Sequence, residues 1–141
     1  MTTQQTSIQA YASATGRVLL AALFLLSGFS KLSNPAATIG YIASAGLPVP
    51  ELAYAAAIFV EVVLAAALLV GYQTRVAATL MALFTVVAAF GFHFNLADQN
   101  QFIHFFKNLS IAGGLLQVAA FGAGAFSFDA RRSASRTPLA A

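Results

Sequence analysis

Apolar residues gather into four long runs separated by short polar breaks, at residues 9–32, 51–71, 75–93 and 102–126. Each is close to the roughly 20 residues that an α-helix needs to cross a bilayer. Between the first two runs, Ser33-Asn34-Pro35 combines an N-cap residue with a proline suited to the first helical turn. A short helix is therefore predicted over residues 35–45, ending at Gly46 because Pro48 and Pro50 prevent continuation. It is too short to span a membrane and is expected to lie in the interface, over one mouth of the other helices. Only Tyr72-Gln73-Thr74 separate the second and third runs, which predicts a tight antiparallel helical hairpin. A polar loop at residues 95–101 leads into the fourth run. The expected fold is all-α: an integral membrane four-helix bundle with a short interfacial helix between helices 1 and 2. Residues 1–130 would form a single four-span membrane domain and residues 131–141 a flexible cytoplasmic tail.

Composition supports the membrane reading. The chain is 60% hydrophobic and 8% charged, with a mean hydropathy of +0.81, whereas soluble domains carry roughly 25% charged residues. The isoelectric point near 9.7 does not imply nucleic acid as a partner, because there are only seven basic residues and Arg131, Arg132 and Arg136 sit in the tail. The expected partner is the lipid bilayer. With no cysteine, thiol exchange, thiolate metal ligation and iron–sulfur chemistry are excluded for this chain alone. The first run is expected to be retained as a helix, since no A-x-A site follows it and Ala12-Ser13-Ala14 lies on the wrong side. Arg17, Arg75 and the tail arginines fall on one face of the membrane, so both termini are predicted to be cytoplasmic.

Ionisable residues at membrane depth are costly and are functional candidates by default. Arg17 is expected to snorkel to the headgroups from inside the start of the first helix. At about 100° per residue, Arg17, Ala21, Phe24, Gly28 and Lys31 form one stripe, and Lys107, Ser110, Gly114 and Gln117 form another on the fourth helix. Both stripes are expected to face inward. Glu61, in the middle of the second run, is flanked one turn away by Ala57 and Ala65, which should admit a neighbouring helix. Depth estimates bring Glu61 within reach of Lys107, with Lys31 approaching from above. Such a pair could hold the helices in register or serve a ligand or proton, and both readings stay open.

His93 and His104 bracket the outer loop. Axial haem ligation is disfavoured, given two imidazoles, no cysteine and no short fixed spacing. A metal site is not expected, because zinc and iron usually take three or four side-chain ligands. Phe90, Phe92, Phe94, Phe102, Phe105 and Phe106, with Tyr41 and Tyr54, gather near the same mouth and could form a wall for a flat apolar ligand such as a quinone. Gly122-Ala123-Gly124 is no phosphate loop, since neither a preceding strand nor a following Lys-Ser/Thr is present. No catalytic triad or paired acids can be assembled, and no catalytic residue is assigned.

The order of motifs resembles the DoxX family of small bacterial inner-membrane proteins. These are Arg17 followed by an apolar run and Ser27-Gly28-Phe29-Ser30-Lys31-Leu32; Gly46-Leu47-Pro48; Glu61; Gly71-Tyr72-Gln73-Thr74-Arg75; Phe105-Phe106-Lys107-Asn108; and Gly122-Ala123-Gly124 before Ser127-Phe128-Asp129. The resemblance spans about residues 17–129. It implies a four-helix, multi-pass protein of the bacterial inner (plasma) membrane. The family takes its name from a subunit of a quinone-linked oxidase system that handles thiosulfate. It has no settled catalytic set, so Arg17, Lys31, Glu61, Arg75, Lys107 and Asn108 transfer only as pocket or packing residues. Related bundles that pass electrons through cysteines have no counterpart here.

Two functions follow as expectations. The first is an accessory subunit of a membrane redox system, binding a quinone-like or other small apolar ligand near the outer leaflet through Lys31, Glu61, His93, Lys107 and Asn108, with redox proteins as partners. The second is a non-enzymatic scaffold or assembly factor whose buried charges are structural. Homo-oligomerisation is left open by the sequence.

Overall fold

A computed structural model describes residues 3–135, with side chains from residue 7 onward. It is helical throughout, in the order α1 (Thr3–Ser33), α2 (Pro35–Ser44), α3 (Pro50–Val70), α4 (Thr74–Phe92), α5 (Gln99–Phe121) and α6 (Phe128–Ala134). The residues that start and stop these helices are those whose backbone chemistry demands it. Asn34 Oδ1 accepts the Ala37 N–H at 3.2 Å to open α2, and Asp98 Oδ1 accepts the Gln101 N–H at 2.8 Å to open α5. Gly71, at φ +73°, closes α3 in a left-handed turn that side chains with a Cβ disfavour. The fourth apolar run is helical only to Phe121 rather than 126, because Gly122 takes φ +85° and breaks the ladder.

The four long helices share one core. Ala21 and Phe24 of α1, Val60, Ala65 and Leu68 of α3, Ala78, Met81 and Ala82 of α4, and Ala112 and Leu115 of α5 form a single buried cluster. Half of these ten are alanines, which let backbones approach closely where lipid gives little hydrophobic drive for association. Outside this seam the surface is apolar: Leu19, Leu26, Val63, Leu83 and Val87 are all exposed. Three helices among the described residues are long and apolar enough to cross a membrane: Ser7–Ser33, Pro50–Val70 and Thr74–Phe92. Only 22%, 22% and 33% of their most apolar windows are buried within the molecule, so the rest must face a non-aqueous medium. Helix α5 is 23 residues long, but Lys107, Asn108 and Gln117 make it more polar than these three.

Further expectations fail in detail. On α5 the buried positions are Phe105, Ala112 and Leu115, whereas Lys107, Ser110 and Gln117 are exposed and Gly114 is half-buried. The polar stripe thus lies on roughly the opposite face at 100° per residue. The apolar edge wins the contact because it packs against α4, the most extensive helix pairing in the molecule. The second concerns the tail. Where flexible chain was expected after Asp129, α6 forms, with Ser127 Oγ accepting the Ala130 N–H at 3.1 Å. Arg136 and the rest of 136–141 lie outside the described residues.

Arg17 does not snorkel. It is buried, donating from Nη1 to the Leu68 carbonyl at 3.2 Å and from Nη2 to the Phe126 carbonyl at 2.7 Å. The Leu68 carbonyl, in the last turn of α3, also accepts the Gly71 N–H at 3.2 Å, and the guanidinium fork joins it to a carbonyl from the chain entering α6. Gly71 is required beside it, since a Cβ there would collide with both Arg17 and Ser127. Ser13 closes the same end by donating to the Ala123 carbonyl at 3.3 Å.

Candidate functional site

At the opposite end from Arg17, the seam opens into a cavity of about 450 Å³. It is lined from α1 through α5, and its apolar walls come from Leu23, Phe24, Ile42, Leu47, Phe84 and Ile111 among others. Small residues make the space. Ala53, Ala56 and Ala57 on α3 and Ala88 on α4 all line it. Ala65 is fully buried in the core as expected of a helix contact, but Ala57, one turn above Glu61, borders a void instead. Helix α2 adds Thr38, Tyr41 and Ile42 to the wall.

Glu61 lies in a π-helical stretch, Phe59–Leu64, within α3. Single π turns of this kind are frequent at functional positions of α-helices. Gly28 lets α1 approach the stretch: a Cβ at Gly28 would lie 2.7 Å from Val62 Cγ2 and 3.1 Å from Glu61 Cβ. One turn further along α1, Lys31 sits over the carboxylate. Its Nζ lies 2.7 Å from Glu61 Oε2, 2.9 Å from Oε1 and 2.7 Å from Ser27 Oγ. The partner of Glu61 is therefore Lys31 and not Lys107, because the close α1–α3 approach delivers Lys31 first. The Lys31 side chain keeps 28% exposure against 7% for Glu61, so the pair is reached from the cavity mouth through the lysine.

All five candidate residues, Lys31, Glu61, His93, Lys107 and Asn108, line this one cavity. His93 Nδ1 lies 2.7 Å from Gln101 Oε1, within hydrogen-bond distance. Lys107 donates to His104 Nδ1 at 2.9 Å. The two imidazoles stack with centroids 5.1 Å apart, side by side rather than facing each other across a porphyrin. Among the described residues, no group of three or more His, Cys, Asp or Glu gathers as a metal site.

The aromatic wall differs from expectation. Of the eight rings proposed, Tyr41 and Phe92 line the cavity, stacked on each other at 5.5 Å, and Phe24 and Phe84 join them. Phe90, Phe94, Phe102, Phe105 and Phe106 pack mainly on one another, with centroids 4.7–5.6 Å apart, and knit α4 to α5. Sequence reasoning missed the roles of Ser27 and Gln101, short-range polar partners that only the helix register reveals. It also missed Asp129, whose Oδ1 and Oδ2 accept the Gln73 and Thr74 N–H groups, each at 2.9 Å.

A family model for DoxX matches residues 12–94, which contain most of α1, all of α2 to α4 and the cavity wall from Leu23 to His93. The chain belongs to the DoxX family. Two curated relatives from Escherichia coli strain K12 cover most of it. Inner membrane protein YqjF is 38% identical over 113 residues, spanning 80% of this chain and 85% of the relative. Inner membrane protein YphA is 37% identical over 120 residues, spanning 82% and 86%. No solved structure matches. With three apolar membrane-length helices, the chain is an integral membrane protein of the DoxX type, and the inner membrane is the location its relatives share.

Proposed function

We propose that this DoxX protein is a four-span accessory protein of a bacterial inner-membrane redox system. In this reading the cavity holds a quinone-like or other small lipid-soluble ligand near the outer leaflet. The observation that carries the proposal is the cavity itself: an apolar chamber of about 450 Å³ with charged and amide side chains on its wall. That is within the 300–1,000 Å³ typical of small-molecule sites, which pair apolar walls with a few polar groups. Phe24, Phe84 and Phe92 offer ring contacts, while Lys107, Asn108 and His93 offer polar ones. Glu61, bonded to Lys31, is the candidate proton carrier, because it is the one carboxylate on the cavity wall and a carboxylate can accept a proton from a bound ligand.

Binding of a short-chain ubiquinone to the detergent-purified protein, read by native mass spectrometry, tests this. The expected result is one ligand per chain, weakened at least tenfold by Ala53→Leu with Ala56→Leu, which narrow the chamber. Leu26→Phe, on the outer surface, should leave binding unchanged. No binding, or equal binding in the narrowed variant, would overturn it.

One observation favours the scaffold reading instead. Lys31 spends its donors on Glu61 and Ser27, so the pair is satisfied without any ligand. In that case Glu61 and Lys31 fix the α1–α3 register and the outer surface holds a protein partner.

A further inference from the structure

The charge on the cavity wall is not balanced. Its ionised groups are Lys31, Lys107 and Glu61, and both Glu61 oxygens are taken by Lys31. The Lys31–Glu61 bond is the single salt bridge among the described residues. Lys107 is thus left with an uncompensated positive charge, its ammonium bonded only to a neutral acceptor, His104 Nδ1. Of the remaining acids, Asp98 and Asp129 cap helices, and Glu51 lies outside the cavity wall. Asn108 adds a second free donor. It is half-buried on the inward face of α5, in line with Phe105, Ala112 and Leu115, and its amide makes no hydrogen bond within the described chain. A lysine ammonium and an amide NH₂, both on the wall of one largely apolar chamber, form a donor set for oxygen with negative charge. A neutral ligand would leave the Lys107 charge uncompensated at the edge of a low-dielectric site, where an ion pair is worth more than in water.

We infer that the ligand is an amphiphile with a single apolar chain and an oxyanion head, the head seated on Lys107 and Asn108 and the chain running in toward Ala57 and Phe84. This rests on the reading that the cavity binds a lipid-soluble molecule, and it adds the charge of the head group. The head could be the carboxylate of a free acyl chain or the phosphate of a lipid. A carboxylate is the smaller fit beside one lysine and one amide.

Three probes of equal chain length decide it: laurate, dodecyl phosphate and dodecanol, each titrated into the detergent-purified full chain and read by native mass spectrometry. Laurate should bind at least tenfold more tightly than dodecanol. Lys107→Met should reduce that ratio below threefold, and Lys107→Arg should keep it. Because Lys107 is exposed and packs no core, both variants should retain wild-type circular dichroism. Asn108→Leu should weaken laurate by a larger factor than dodecanol. Tighter binding of dodecyl phosphate than of laurate would keep the oxyanion head and assign it to a lipid phosphate. Dodecanol binding as tightly as laurate, or a preference that survives Lys107→Met, would overturn the inference. If the short-chain ubiquinone binds under those conditions, the cavity reading stands without the anionic head. If none of the four probes binds, both readings fail.

Discussion

Lys31 and Glu61 answer for each other, and the cost of losing one should far exceed the cost of losing both. Lys31→Met leaves a carboxylate that is 7% exposed without its counter-charge. Breaking a buried pair from one side costs about 3–5 kcal/mol, and the 28% exposure of the lysine lowers the expectation to about 2–3 kcal/mol. Replacing both, Lys31→Met with Glu61→Leu, should restore most of the loss, because an apolar pair of similar volume needs no desolvation. Thermal unfolding in detergent micelles measures the cycle. Strict additivity would show that the two side chains do not interact. Gly28→Ala is the companion change: its Cβ would lie 2.7 Å from Val62 Cγ2, so the α1–α3 contact must open. Overpacking of this kind costs about 1–3 kcal/mol, while Gly16→Ala, with open space around it, should stabilise slightly. The candidate Glu61 was legible in the sequence because a carboxylate within an apolar run has few explanations. Its partner was not, since choosing between Lys31 and Lys107 requires the distance between helices. That distance is set by Gly28 and the π stretch, neither of which announces itself in a hydropathy pattern.

Helix boundaries were legible wherever a cap or a glycine carries the signal, as at Asn34 and Gly71. The facing of helices was legible only where one face is clearly apolar. On α1 the stripe from Arg17 to Lys31 does point inward. On α5 polarity was read as the inward signal, yet Phe105, Ala112 and Leu115 bury more surface against α4 than the polar stripe could, and the helix turns accordingly. Asp129 shows a cap that no local pattern predicts, because it serves a helix 55 residues away. Burial pushes its carboxyl up, but hydrogen bonds from Thr74 and Gln73 and the charge of Arg132 outweigh this and hold it below its ordinary value of 3.8. A group depressed in the folded state stabilises above its unfolded pKa, and that contribution is lost as pH falls through the folded value. Asp129→Asn should therefore cost about 1 kcal/mol at pH 7, as the loss of a helix cap does. The gap between wild type and variant in detergent melting temperature should begin to narrow near pH of about 4, the unfolded carboxylate value, and close as pH falls through the lower folded value. A gap unchanged at pH 3 would show that the charge of Asp129 contributes nothing to the cap.

At the scale of the molecule, the number of crossings decides where the ends lie. Three spans would put the termini on opposite sides of the membrane, and four would put them on the same side. Ser13 bonds Ala123 and Arg17 bonds Phe126, so the start of α1 and the entry to α6 meet at one end, beside the α3–α4 turn. Helix α2, the end of α4 and the start of α5 meet at the other, around the cavity. With its two ends at these places, α5, whose 23 residues cover about 34 Å at 1.5 Å each, is expected to cross as a fourth span beside the apolar three. In such a crossing the greater polarity of α5 would be tolerated because Lys107 and Asn108 line the cavity. Arg17 is spent within the fold, which leaves Arg75, Arg131 and Arg132 as the exposed basic residues at the terminal end among the described residues. Positive charge retained on the cytoplasmic side orients such chains, so both termini should be cytoplasmic and the cavity should open toward the outer leaflet. A green fluorescent protein fused after Ser135 should fluoresce, and alkaline phosphatase fused there should be inactive. Phosphatase fused after Asp98, in the loop before α5, should be active. Activity after both Asp98 and Ser135 would mean that α5 does not cross, and activity after Ser135 alone would mean that the four helices are inserted upside down.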